Sequence, residues 1–209
     1  SSTFSGNTSI NQGGGIYAIN SNVTIDNSTI SGNLANQTGG GIYLSNYSTI
    51  NINSSEISNN SAGGNAGGIY GAQSYLTITN VLVSENEASI VGGGLYLSST
   101  PVEIINSTIV NNHDEQDVGC GDGTGNMCGA SNIWNAFSDL DILNSIIWQG
   151  LPEDSWEGAG IYWTGSPPEI NISYSDISQN YSNISQILEL GTGSINDDPQ
   201  FTDPDNGDY

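Results

Sequence analysis

Apolar residues recur along this chain in short alternating runs rather than in helical groups. Val23 and Ile25, Ile50 and Ile52, Leu76 and Ile78, Val102 and Ile104, Leu140 and Ile142, and Ile170 and Ile172 are pairs of aliphatic side chains two residues apart. Spacing of two puts both members on one face of a strand. A second column runs Phe4, Ile30, Ile57, Val83, Ile109, Ile147, Ile177. A third follows glycine. Gly-Gly-Gly-Ile-Tyr ends at Tyr17 and again at Tyr43, and Gly-Gly-Ile-Tyr ends at Tyr70. Gly-Gly-Gly-Leu-Tyr ends at Tyr96, with weaker copies at 131–134 and 159–162.

The marker positions of the third column are Ile16, Ile42, Ile69, Leu95, Ile133 and Ile161, at steps of 26, 27, 26, 38 and 28 residues. A fixed period of this length is the signature of a solenoid. Three alternating runs per period, with no helical spacing between them, predict an all-β, right-handed parallel β-helix. It has three strands per coil, about 26 residues per coil, and six to seven coils over 1–190. The step of 38 is one coil plus an insertion at 113–128, and an acidic tail or cap follows at 191–209. Each coil stacks on the next, so like residues fall about 4.8 Å apart and the aliphatic columns form a dry core. Asn7, Asn33, Asn60, Asn86, Asn112 and Asn180 predict an asparagine corner. Asn tolerates left-handed backbone, and stacked amides bond one another. Gly150 is expected to interrupt that ladder.

Composition changes the picture mainly by exclusion. The 209 residues include neither lysine nor arginine against 22 acidic residues, a formal net charge of −22. Nucleic-acid binding depends on cationic side chains that neutralise phosphate, so it is excluded. The same charge is repelled by anionic membrane surfaces. No apolar run reaches the length of a membrane-spanning helix. Cys120 and Cys128 lie eight apart in a Gly- and Asp-rich stretch and read as a local disulfide of an exported protein.

Phe4 and Asn7 followed by Gly13, Gly14, Gly15 and Ile16 resemble the FxxN and GG[ALVI] repeat of polymorphic outer-membrane proteins. That pattern belongs to the wider right-handed β-helix repeat family of microbial surfaces. Ile30 to Asn33, Ile57 to Asn60, Val83 to Asn86 and Ile109 to Asn112 keep the spacing with an aliphatic in place of Phe. The resemblance covers nearly the whole chain. It implies the fold and an extracellular or cell-surface location, and it is shared by adhesins and polysaccharide enzymes.

Catalytic signals are few. No G-x-S-x-G nucleophile elbow occurs, and His113 is the only histidine. Lyases and hydrolases acting on uronates hold their substrates with basic residues, which this chain lacks. The expected function is therefore a non-enzymatic exported scaffold or adhesin, fibre-forming and glycosylated, with no catalytic residues and no cofactor other than calcium. End-to-end copies of itself and extracellular polysaccharide are the expected partners. Tyr17, Tyr43, Tyr70, Tyr96, Trp134 and Tyr162 each follow an inward residue, so they predict a continuous outward aromatic strip for sugar or partner contact. The alternative is a glycan-cleaving β-helix with Glu103 and Asp141 as its carboxylate pair. A third reading is calcium-dependent assembly through Asp114, Glu115, Asp117 and Asp122, oxygen ligands in a Gly-rich loop. Of the many Asn-x-Ser/Thr sites, Asn22, Asn36 and Asn46 fall in turns and are the expected glycan acceptors.

Overall fold

The computed structural model describes residues 1–115, 132–148, 160–164, 169–178, 180–182, 190–197 and 199. The described residues form a stack of parallel strands with no helix. Sheet A has seven strands, from Thr3–Ser5 to Asp176–Ile177. Sheet B has five short strands, from Thr8–Ser9 to His113–Asp114. Sheet C has seven strands, from Ile16–Ile19 to Asn180–Ser182, and sheet D six, from Asn22–Asp26 to Ile170–Ser173. The chain visits A, B, C and D in turn and then starts the next coil. One regular coil is Thr29–Ser31, Leu34–Ala35, Ile42–Ser45 and Thr49–Asn53.

The apolar columns are in register throughout. Phe4 pairs Ile30, and that column continues through Ile57, Val83, Ile109 and Ile147 to Ile177. Ile16, Ile42, Ile69, Leu95, Ile133 and Ile161 align in sheet C. The paired columns from Val23 and Ile25 to Ile170 and Ile172 align in sheet D. These side chains, except the exposed Phe4, make one continuous core. Each fully buried Ile or Leu contributes about 1.5–3 kcal/mol relative to exposure.

Two features differ from the expectation of three strands and one asparagine corner. The coil carries a fourth strand, the two-residue sheet B element, which is too short to show alternation. The left-handed residue at the asparagine corner is also not the laddered asparagine. It is the one before it: Gly6, Gly32, Asn59, Glu85 and Asn111 have positive φ. Each turns the chain so that the next side chain points inward. Asn7, Asn33, Asn60 and Asn86 each donate a side-chain N–H to the Oδ1 of the next rung at 2.8–2.9 Å. Asn33, Asn60, Asn86 and Asn112 use their other N–H on a carbonyl of the preceding coil: Phe4, Ile30, Ile57 and Val83. The buried corner is thereby satisfied without water.

The ladder does not end at Asn112. Asn112 donates to Asn132 Oδ1, and Asn132 donates to the Trp148 carbonyl at 3.0 Å. Asn132 stands where the earlier coils carry Gly15, Gly41, Gly68 and Gly94, just before the inward Ile or Leu. The expected rung Asn180 aligns instead with Ile161, in sheet C. Gly150 lies outside the described residues.

Two further corners carry hydroxyl ladders. Between sheets D and A, the backbone N–H of Ser2, Ser28, Val81, Ser107, Ser145 and Ser175 donates to the next rung's hydroxyl at 3.0–3.2 Å. Between C and D, Ser21 donates to Ser48 and Thr100 to Ser138 in the same way. Polar residues inside the turns thus close on the neighbouring coil, while aliphatic residues fill the interior.

Candidate functional site

Parity in sheet C turns the residue after each inward Ile or Leu to the outer side. Tyr17, Tyr43, Tyr70 and Tyr96 occupy that position on adjacent strands. Their rings stack at centroid distances of 5.2, 5.0 and 5.0 Å, with interplanar angles of 11°, 6° and 2°. Strand spacing sets this distance, and offset aromatic stacking stabilises it by about 0.5–1.5 kcal/mol per pair. Tyr17 is 54% exposed and the other three are half-buried. Burial, then the phenols of Tyr96 and Tyr43, pushes the Tyr70 hydroxyl up to about 12. Burial raises Tyr96 as well.

The strip is not continuously outward-exposed. Trp134 and Tyr162 keep the register but are each only 3% exposed. Their rings meet at 4.4 Å in a tilted pair, and they form a small second core with Val91 and Ala136, against which Tyr96 packs. Burial raises the Tyr162 hydroxyl. The strip therefore divides into four stacked tyrosines and one buried aromatic pair. Tyr43 and Tyr70 each have a ring neighbour on both sides, so ring faces that would receive a sugar are turned to other rings. Their edges and hydroxyls remain for contact. Trp163, one residue beyond Tyr162, faces inward and joins the main core.

The second candidate lies on sheet D. Glu103 pairs Asp141, and Asp141 pairs Asn171. Adjacent parallel strands set the two carboxylates' backbones about 4.8 Å apart. Asn171 donates to Asp141 Oδ1 at 2.8 Å and to Glu169 Oε1 at 3.4 Å, and the Glu169 N–H donates to Asp139 Oδ1 at 3.1 Å. Glu103, Asp139, Asp141, Glu169 and Asn171 are all exposed. In the same column the earlier coils carry neutral Thr24, Asn51 and Thr77, so negative charge gathers toward the later coils.

The expected calcium ligands are not brought together where they are described. Asp114 is buried in the sheet B column that elsewhere holds Ala35, Ala62 and Ala88, whereas Glu115 and His113 are exposed. Among the described residues no three His, Cys, Asp or Glu side chains gather as a metal site. Asp117, Asp122, Cys120 and Cys128 lie outside the described residues. Asn22, Asn36 and Asn46 are exposed, but Asn22 does not fall in a turn: it opens the strand Asn22–Asp26 and pairs with Thr49. Their sequon hydroxyls differ. Thr24 is exposed, the Thr38 Oγ1 is buried with no hydrogen bond, and Ser48 is buried and donates to the Ser45 carbonyl.

The residues that sequence reasoning missed are Asn132 and the two hydroxyl ladders. The signal for the latter was present, since Ser28, Ser55, Ser107, Ser145 and Ser175 recur at the coil period. It is obscured by how common serine is in this chain.

A family model described as right handed beta helix region matches residues 1–147. No curated protein and no solved structure matches the chain. No helix among the described residues is long and apolar enough to cross a membrane.

Proposed function

The chain belongs to the right-handed β-helix family, and from that premise we propose that it is an exported scaffold with an adhesive role outside the cell or on its surface. The observation that carries this reading is the uniformity of the coils. From Thr3 to Val110 every turn repeats the same aliphatic columns and the same asparagine bond. A catalytic centre requires a local departure that gathers unlike polar groups. Here the repeat itself is the product of the sequence. A chain with 22 acidic residues and no cationic ones also offers no site to trypsin-like proteases, which suits exposure. The partners in this reading are extracellular polysaccharide and further copies of the chain, with glycans at exposed asparagines such as Asn22. Antibody labelling of intact, unpermeabilised source cells tests the location. Surface label removed by a broad-specificity protease supports it. Label seen only after permeabilisation contradicts it.

A second reading, cleavage of a neutral glycan, is favoured by one observation: Glu103 and Asp141 are registered on neighbouring strands. Retaining glycosidases place their two carboxyl groups about 5–5.5 Å apart. Both carboxylates are exposed on the sheet face, however, whereas ligand sites are concave and bury most of the ligand's surface.

A further inference from the structure

The four stacked tyrosines have a reactivity that neither a scaffold nor an adhesin requires. Phenols are the side chains most readily joined by one-electron oxidation, and coupling is limited by how often two phenoxyl radicals meet. In this protein the meeting is built in. Tyr17 and Tyr43 face each other at 5.2 Å with their rings 11° from parallel. Holding two reactants at contact replaces a bimolecular encounter by an intramolecular one.

We propose that the tyrosine stack is an oxidative cross-linking site, at which a one-electron phenol oxidant joins Tyr17 to Tyr43 by a carbon–carbon bond and fastens the first coil to the second. Each phenol gives up one electron and one proton. The two phenoxyl radicals couple through ring carbons ortho to oxygen, and each ortho hydrogen then moves as a proton to its own oxygen, restoring both phenols. The net change is the loss of two electrons and two protons. A peroxidase passes the electrons to hydrogen peroxide, which takes up the protons and leaves as two waters.

Three observations set the place and the intramolecular outcome. Tyr17 is the most exposed ring of the stack, so the oxidant enters there. Tyr70, deeper in the stack, has its hydroxyl raised to about 12, chiefly by burial, which disfavours the easily oxidised phenolate at that end. Each copy carries a formal charge of −22, so two copies repel and radicals on different molecules meet slowly. Tyr47, Tyr75 and Tyr174 are exposed too and supply the internal comparison, because they lie outside the stack.

The test treats the purified chain with a plant-type peroxidase and hydrogen peroxide, then cleaves it at acidic residues. Asp26 and Glu56 lie on either side of the Tyr43 segment, so Tyr17 and Tyr43 fall in different peptides. The expected result is a monomer lighter by two hydrogen atoms, with a Tyr17–Tyr43 linked peptide as the main product and the blue fluorescence of a biphenol. Tyr43→Phe, which keeps the stack, loses that peptide and diverts oxidation into dimers. Linkage only between copies through Tyr47, Tyr75 or Tyr174 overturns the proposal. So does an unchanged product pattern in Tyr43→Phe, or no linked product at all.

Discussion

Asn112 donates its side-chain amide to Asn132 Oδ1 at 2.9 Å, although the two approach the corner from opposite sides. Every earlier rung follows the sheet A strand, whereas Asn132 precedes the sheet C strand Ile133–Ala136. It accepts from the Asn112 backbone N–H as well, and it donates to the Trp148 carbonyl. One side chain thus carries the ladder past the insertion. Replacing it with the repeat's own glycine, Asn132→Gly, matches the pattern of the earlier coils and is still expected to destabilise. The buried Asn112 backbone and side-chain N–H groups lose their shared acceptor, and the Trp148 carbonyl keeps only the long 3.4 Å bond from the Asn111 N–H, at a cost of about 1–3 kcal/mol. A lowered urea midpoint with an unchanged slope checks this.

Within the ladder, Asn86→Asp is expected to cost more than Asn86→Ala. Asn86 donates to Asn112 Oδ1 and to the Ile57 and Ser84 carbonyls. Aspartate at that point sets an anion against three acceptors in a fully buried corner. Alanine adds no charge: Asn112 Oδ1 keeps the Asn86 backbone N–H and the Ser84 carbonyl keeps the Asn59 N–H, while the Asn60 backbone and side-chain donors lose Oδ1, at about 1–3 kcal/mol for each group left unpaired. The comparison is made by thermal unfolding at neutral pH, with the Asp variant melting lower.

Ala66 occupies the position that Gly13, Gly39 and Gly92 fill in neighbouring coils, and its φ of 61 lies in the same left-handed region as theirs. A Cβ at Gly13 or Gly92 meets a main-chain oxygen, Ile16 O or Leu95 O, at 2.6 Å. Ala66→Gly is therefore expected to stabilise by up to about 1 kcal/mol, because left-handed backbone costs a non-glycine residue about 1–2 kcal/mol. The greater freedom of glycine in the unfolded chain offsets part of that gain. Gly92→Ala is expected to do the opposite. Urea midpoints of both variants provide the measurement.

Alkali is expected to loosen the tyrosine stack. The Tyr70 hydroxyl is raised from 10.0 to about 12 in the folded chain. The folded state therefore holds this proton more tightly than the unfolded state does. The contribution is fully present below pH 10 and is lost as pH rises through about 12. Tyr96 and Tyr162, also raised, act in the same direction. Melting temperature measured from pH 8 to 12 should fall above 10. In Tyr70→Phe the fall should be shallower.

The aliphatic columns were legible because burial of both members of each pair leaves a period-two trace, and all of them are in register. Sheet B was not, since two residues cannot show alternation. Side-chain parity placed Trp134 and Tyr162 correctly on the outer side of sheet C, but parity does not report what covers that side. The Glu103–Asp141 column was readable as a line of outward residues, because period-two alternation fixes the face as well as the register, and both side chains are exposed. Asn132 escaped because the insertion moved a ladder rung to the other side of the corner, where the repeat predicts glycine.

The most direct test of the scaffold reading is incubation with a panel of neutral and acidic polysaccharides, scoring both retention and new reducing ends. Retention without new reducing ends is the result this account predicts, and it should be unaffected by Glu103→Gln or Asp141→Asn. Reducing ends released by the native chain and abolished by either substitution would contradict it and make the sheet D pair a hydrolytic centre.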